Sequence, residues 1–387
     1  MRTRHSTILL FKISLLLVIL LLGGLVFSGC RAGMGAVPKG WSGGTIVDGT
    51  LLVGSMEGKL VAANTTDGSR LWAVSLETPE SADGGGGFGC APASTAVAIY
   101  GSPVVAEDLV YVGGYNGKIY AFAFDRDEPG FSRDEPRWVY PRQGNIGAPI
   151  VGGIIVSQGK LYFGSANGKV YALDAADGYK EWEFETGDKI WSTPAIDGDT
   201  LFIGSFDNKL YALNATDGSK KWEFETEGAI VSTPLAYNNT VYIGSFDRYL
   251  YAVDAADGSL RWKFMAENWF WAKPVVYNNI IYAGCLDGKV YALDADSGDK
   301  LIEFDLGSPV SSSPVLVDNS VIVATKGGVV YALDTGDNQQ RQLVNLEEKV
   351  YAPLVASQGI VYIHSERDAV YAVDVRTGAI REFNIRL

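Results

Sequence analysis

The feature that most constrains this chain is a repeat. Tyr171, Tyr211, Tyr251, Tyr291, Tyr331 and Tyr371 are each followed by Ala and stand 40 residues apart. A fixed period of this length marks a chain built from one supersecondary unit that buries its apolar faces only against copies of itself. One copy runs through Ser192-Thr193-Pro194-Ala195-Ile196-Asp197-Gly198, then Leu201-Phe202-Ile203-Gly204-Ser205 and the turn Phe206-Asp207-Asn208-Lys209. It continues with Leu210-Tyr211-Ala212-Leu213-Asn214, Thr216-Asp217-Gly218 and Lys221-Trp222-Glu223-Phe224. Four short apolar runs, each closed by Gly, Asn or Asp, predict four antiparallel strands per unit, A to D.

Two earlier units match once insertions are allowed. Tyr120-Ala121 precedes Tyr171 by 51 residues, with extra length assigned to Asp125–Pro136 and Gly152–Gln158. Val61-Ala62 precedes Tyr120 by 59 residues, with extra length in Glu77–Val97. Eight units result, filling residues 40–387. Eight four-stranded units predict an all-β, eight-bladed β-propeller, because each sheet then buries both faces against its neighbours. An open solenoid is the alternative; it would need distinct capping repeats, and none is visible. The first unit begins near Trp41 and the last ends near Phe383, so no strand is expected to cross the ring seam.

Several residues of the unit have structural readings. Gly54, Gly113, Gly164, Gly204, Gly244 and Gly284 are expected to let neighbouring sheets approach closely. Asp174, Asp254, Asp294, Asp334 and Asp374 are expected to cap their own turns. None of these carboxylates has the dense spacing of a calcium loop, so no metal is assigned.

The N-terminus is a targeting segment, residues 1–29. Arg2, Arg4 and Lys12 precede an apolar run from Ile13 to Val26, and Phe27-Ser28-Gly29-Cys30 follows. These residues resemble a lipobox, in which the cysteine is lipidated and becomes the new N-terminus; Phe27 stands where Leu is usual. The implied lipidation site is Cys30, with residues 30–39 as a tether. An uncleaved single-span anchor is the alternative, although the apolar run falls short of the ~20 residues a span requires. Either arrangement gives an exported, membrane-anchored protein at the cell surface or in the periplasm.

The formal charge of the whole chain is −13, and the leader contributes only positive residues. The exported body is therefore strongly acidic, which argues against nucleic acid as a partner, since phosphate contacts need clustered Lys and Arg. Beyond Cys30 the chain has only Cys90 and Cys285, whose pairing the sequence leaves open, and beyond the leader it has a single histidine, His364. A histidine-based hydrolase or a Cys/His zinc site has no residues to work with.

The segment Ala172-Leu173-Asp174-Ala175-Ala176-Asp177-Gly178-Tyr179-Lys180-Glu181-Trp182 resembles the tryptophan-docking motif of the quinoprotein-type, PQQ-like β-propeller repeat family. The motif recurs up to Trp222 and Trp262, and up to Trp72 with Asn64 in place of Asp; Trp138 keeps the Trp without the spacing. The resemblance gives Trp72, Trp138, Trp182, Trp222 and Trp262 a blade-docking role. Ile302 stands at this place in the sixth unit, and the last two units align poorly here.

The family holds two kinds of member that fit different readings. One is a scaffold lipoprotein of outer-membrane protein assembly, which implies other cell-envelope proteins as partners, a membrane contact through the lipid alone, no cofactor and no catalytic residue. The other is a quinone- and calcium-dependent dehydrogenase. Such enzymes commonly carry adjacent cysteines, which this chain lacks. A carbohydrate-binding or sensing propeller is a further alternative.

The partner site is expected where strand A is entered. Three residues before each strand-A proline the units carry Trp41 (placed by Gly44), Tyr100, Ile146, Trp191, Val231, Trp271, Ser311 and Val350, and Trp269 and Phe270 lie just upstream of Trp271. From these, Trp41, Tyr100, Trp191, Trp269, Phe270 and Trp271 are the candidate partner-binding residues. The competing reading is that they pack between blades and complete the core.

Overall fold

The computed structural model describes residues 41–55, 57–76, 97–124 and 135–385. Cys30, the leader, the tether and the Gly-rich insert with Cys90 lie outside them. Every regular element among the described residues is a strand. The strands form eight four-stranded antiparallel sheets, each in sequential order. The fourth blade is representative: strand A is Ala195–Asp197, B is Thr200–Gly204, C is Lys209–Asn214 and D is Lys220–Glu225. The first blade opens with Gly44–Val47 and the last closes with Ile380–Asn384. The chain is thus an eight-bladed propeller.

Burial follows position within the blade. Strands B and C are covered on both faces by neighbouring blades and read as nearly continuous apolar runs, as in Leu201–Gly204 and Leu210–Leu213. Strand D is an outer edge. In Lys220–Glu225 it alternates, with Trp222 buried between exposed Lys221 and Glu223. Its charges also discourage pairing with a foreign strand. The buried apolar residues fall into eight clusters, each straddling two adjacent blades. One joins Leu51, Val53 and Val61 of the first blade to Tyr362, Val370 and Phe383 of the last, so the ring is closed and the open array is ruled out.

The close-approach glycines have a defined counterpart. A Cβ on Gly164, Gly204 or Gly244 would stand 2.2, 2.1 or 2.3 Å from Ile190, Ile230 or Phe270 at the entrance to the next blade. The Asp side chains at the C–D turns accept a backbone N–H from two or three residues ahead, as Asp174 does from Ala176 at 2.8 Å and Asp374 from Thr377 at 2.7 Å.

The tryptophans dock each blade onto the next. The indole N–H groups of Trp138, Trp182, Trp222 and Trp262 donate to the carbonyls of Ala175, Ala215, Ala255 and Ala295 at 2.9–3.1 Å. Their rings lie over Gly178, Gly218, Gly258 and Gly298, where a Cβ would come within 2.5–2.8 Å. Trp72 packs in the cluster between the first two blades. Where the motif fades, another residue does the same job: the Arg341 guanidinium donates to the Val375 carbonyl at 2.7 Å, and that of Arg381 to the Thr66 carbonyl. At the seam Phe383 covers Gly68, and the Tyr362 hydroxyl donates to the Thr65 carbonyl at 3.4 Å. His364 occupies the place that six other blades give to Gly and the seventh to Ala324. It is buried, with Nδ1 at 2.8 Å from the Ser42 carbonyl oxygen across the same seam and Nε2 at 2.9 Å from the Asp368 carboxylate of its own blade.

Candidate functional site

The segments that enter strand A lie where the ring is narrowest, because equivalent positions in neighbouring blades touch there. The Ser42 hydroxyl donates to the Gly101 carbonyl at 3.1 Å, and that of Ser192 to the Ser232 carbonyl at 2.8 Å. The D–A loops and the B–C turns share this end of the channel. The Phe206 N–H donates to the Lys189 carbonyl and that of Phe246 to the Ala229 carbonyl, both at 3.0 Å.

Two assignments made from the prolines are out of register. In the third blade Ile150, not Ile146, is the fully buried equivalent of Ile190: its N–H donates to Gly114, as that of Ile190 does to Ser165. The residue at the channel is therefore Val151. The extra residues lie upstream in the 141–149 loop, and Gly152–Gln158 holds no insertion. In the last blade Leu354 takes the proline's place and Pro353 the place of Ser313. Val350 is buried like Ile190, and the residue at the channel is Tyr351.

With the register corrected, the aromatics form two arcs. One runs through Tyr351, Trp41, Tyr100 and Tyr115, with Trp41 at 5.5 Å from Tyr351 and 4.7 Å from Tyr100, and Tyr100 at 5.4 Å from Tyr115. The other runs through Trp191, Phe206, Phe246 and the pair Trp269 and Trp271. Trp191 meets Phe206 edge-on at 4.8 Å, and Trp269 and Trp271 stack on Phe246 at 4.4 and 5.6 Å. The first arc spans blades 8, 1 and 2, the second blades 4, 5 and 6. They face each other across the ring, separated by Val151 and Ser311. Tyr115, Phe206, Phe246 and Tyr351 are absent from the sequence-derived set. Phe206 and Phe246 follow the Gly-Ser end of strand B 40 residues apart, and Tyr115 follows Gly113-Gly114 at the same place in the second blade; that signal could have found them.

Of the candidate residues, Trp269 is 41% exposed, and Trp41, Tyr100, Trp191 and Trp271 are half-buried. Phe270 does not belong with them. It is 1% exposed and fills the space opposite Gly244, so it is core packing. Chain alternation explains the split, since successive side chains point to opposite sides.

Lys189 lies over Phe206 at 4.3 Å and Trp191 at 5.3 Å, and Lys326 lies over Tyr351 at 5.6 Å. Burial lifts the Tyr100 phenol above its ordinary range and lowers the Lys273 ammonium below its own. Among the described residues no three His, Cys, Asp or Glu side chains converge. The B–C turn carboxylates are already engaged: Asp207 accepts from the Tyr211 hydroxyl at 2.7 Å, the Gly187 N–H at 2.6 Å and the Lys209 N–H at 3.0 Å. Cys285 is a buried free thiol at 3.2 Å from the Asn268 carbonyl oxygen. What this end of the ring presents is apolar area, cation–π contacts and backbone polar groups.

Comparison with known proteins gives a consistent picture. The family model described as outer membrane protein assembly factor BamB matches residues 41–184, 133–263 and 166–382, which together run through nearly all of the propeller. Proteins of that name from Kangiella koreensis and Legionella pneumophila are 25% and 28% identical over 147 residues, 38% of this chain. Those alignments span only about a third of the relatives' own length, 32% and 33%. The crystal structure of BamB from Moraxella catarrhalis superposes with a TM-score of 0.68 at 18% identity, covering 85% of this chain and 95% of that one. The computationally designed Ika8 protein superposes equally well, at 0.68 and 15% identity, covering 87% and 96%. A designed chain matching as closely as a natural one shows that these superpositions speak to fold alone.

Proposed function

The chain belongs to the outer membrane protein assembly factor BamB family, and from that premise we propose that it is a non-enzymatic scaffold of the cell envelope that takes part in outer-membrane protein assembly. Lipid on Cys30 tethers the propeller to a membrane, and the aromatic end of the channel docks the protein partner. The observation that carries the docking reading is the pair of opposed aromatic arcs. Trp269 keeps 41% of its surface in solvent while stacked on Phe246, so the site is preorganised without being consumed by packing. Large aromatics held this way at a rim are what interface hot spots are made of. The strongly acidic body makes an approach through anionic headgroups unfavourable and suits attachment by the lipid alone.

The test is capture of partners from intact membranes by the lipid-bearing protein, with identification by mass spectrometry. Trp269→Ala and Trp271→Ala should each weaken capture by ~1–3 kcal/mol, while the unfolding midpoint stays nearly unchanged. A large drop in the midpoint with capture spared would make these residues core and put the docking site elsewhere.

A further inference from the structure

Lysines on the blade edges of this acidic protein are largely matched by carboxylates. Glu183, Glu223 and Glu303 each hold two of them at 2.5–3.2 Å. At the channel end the pattern changes. Among the described residues no carboxylate lies within ion-pair distance of Lys189, Lys273 or Lys326, although Asp188, Glu227 and Glu267 stand on the same loops.

Lys273 is the most confined of the three. Its equivalents in other blades are small or rigid: Ser102, Thr193, Thr233, Ser313 and Pro353. They touch from blade to blade. A Cβ on Gly43, the equivalent in the first blade, would stand 2.4 Å from the Ser102 hydroxyl and 3.2 Å from Pro353 Cβ. The Lys273 N–H likewise donates to the Ser313 hydroxyl at 3.1 Å. In so narrow a ring a four-carbon side chain has only the lumen to occupy. Burial alternates along this segment: Phe270, Ala272 and Pro274 are buried, while Trp269 is exposed and Trp271 and Lys273 are partly so. Trp269, Trp271 and Lys273 therefore share the face turned to the channel. An ammonium partly withdrawn from water, with no carboxylate among the described residues to pair with it, is costly, and a ligand anion reduces that cost.

We infer that Trp269, Trp271 and Lys273 form one ladder that binds an extended peptide segment carrying a carboxylate beside an aromatic or large aliphatic side chain. The apolar side chain lies against Trp271 and Phe246, and the carboxylate pairs with Lys273 below them. This assignment rests on the docking reading above. The carboxylate has two sources, an acidic side chain within a chain or a chain's own C-terminus.

The experiment measures fluorescence polarisation of labelled peptides with the lipid-bearing protein in detergent micelles. The probes are Gly-Ser-Gly-Phe-Phe with a free C-terminal carboxylate, the same peptide as its carboxamide, and Gly-Ser-Phe-Asp-Phe carboxamide. At least one carboxylate peptide should bind ten-fold or more tighter than the carboxamide of Gly-Ser-Gly-Phe-Phe, and which one does so identifies the source. Lys273→Met should abolish the difference, Lys209→Met should preserve it, and Trp271→Ala should weaken all three peptides. Equal binding of carboxylate and carboxamide peptides, or a preference that survives Lys273→Met, overturns the assignment. Loss of partner capture in Trp269→Ala with no peptide preference leaves docking standing and refutes the carboxylate site. Peptide binding that depends on Lys273, with capture intact in the Trp variants, does the reverse.

Discussion

Ring closure without a shared strand places the whole cost of the seam on side chains, and one pair measures it. Phe383 is 1% exposed and lies over Gly68 of the first blade. Removing the ring with Phe383→Ala should cost about 3–5 kcal/mol, the usual range for a buried Phe. Gly68 has φ of +77°, and a Cβ there would sit 2.6 Å from Phe383 Cδ1. Gly68→Ala therefore carries about 1–2 kcal/mol of left-handed backbone strain and about 1–3 kcal/mol of overpacking against the ring. In the double variant the ring is gone, so only the backbone strain remains. The two costs should then fall short of additivity by about 1–3 kcal/mol. Urea unfolding followed by Trp fluorescence, with m-values checked for constancy, gives the four free energies. Additivity within about 0.5 kcal/mol would mean that Phe383 and Gly68 do not touch in solution, and the closed seam would be wrong.

Three further outcomes are expected. Cys30→Ala should release the body into the soluble exported fraction or leave it as precursor, and intact mass of the membrane-bound protein should show lipid on Cys30; an unmodified Cys30 there would refute the anchor. Burial pushes the Cys285 thiol up to about 12, so it should resist maleimide in the native protein at neutral pH and react once unfolded without reductant. A Cys285 still unreactive after such unfolding would mean it is held in a disulfide. Titration with pyrroloquinoline quinone and calcium should give no saturable absorbance change, and a stoichiometric complex that oxidises alcohols or aldoses would reverse the scaffold assignment.

The blade was legible in the sequence because nearly everything that makes it is local. The Tyr-Ala period, the turn Asp residues and the alternation in strand D each concern one unit and its own hydrogen bonds. The docking tryptophans and the strand-B glycines were legible for a related reason: each acts on the next unit, and the next unit is a near copy. The channel end was only partly legible. The prolines served as a ruler there, and in the third and eighth blades the ruler slipped, hiding Val151 and Tyr351. Burial of Ile150 and Val350 fixes the register, and burial is a property of the assembled ring. Phe270 and Trp271 are neighbours of similar character in the sequence, yet Gly244 takes one into the core and leaves the other in the channel.

By itself, then, the sequence determined the unit, the number of copies and the faces on which copies stick, because those follow from periodicity and nearest-neighbour chemistry. Ring curvature decided the rest. It brings Trp41 against Tyr351 across the full circuit of the chain, lets Arg381 and Phe383 replace a missing tryptophan at the seam, and gathers equivalent positions of eight blades so tightly that one lysine stands in a ring of small residues with no carboxylate among the described residues to meet it.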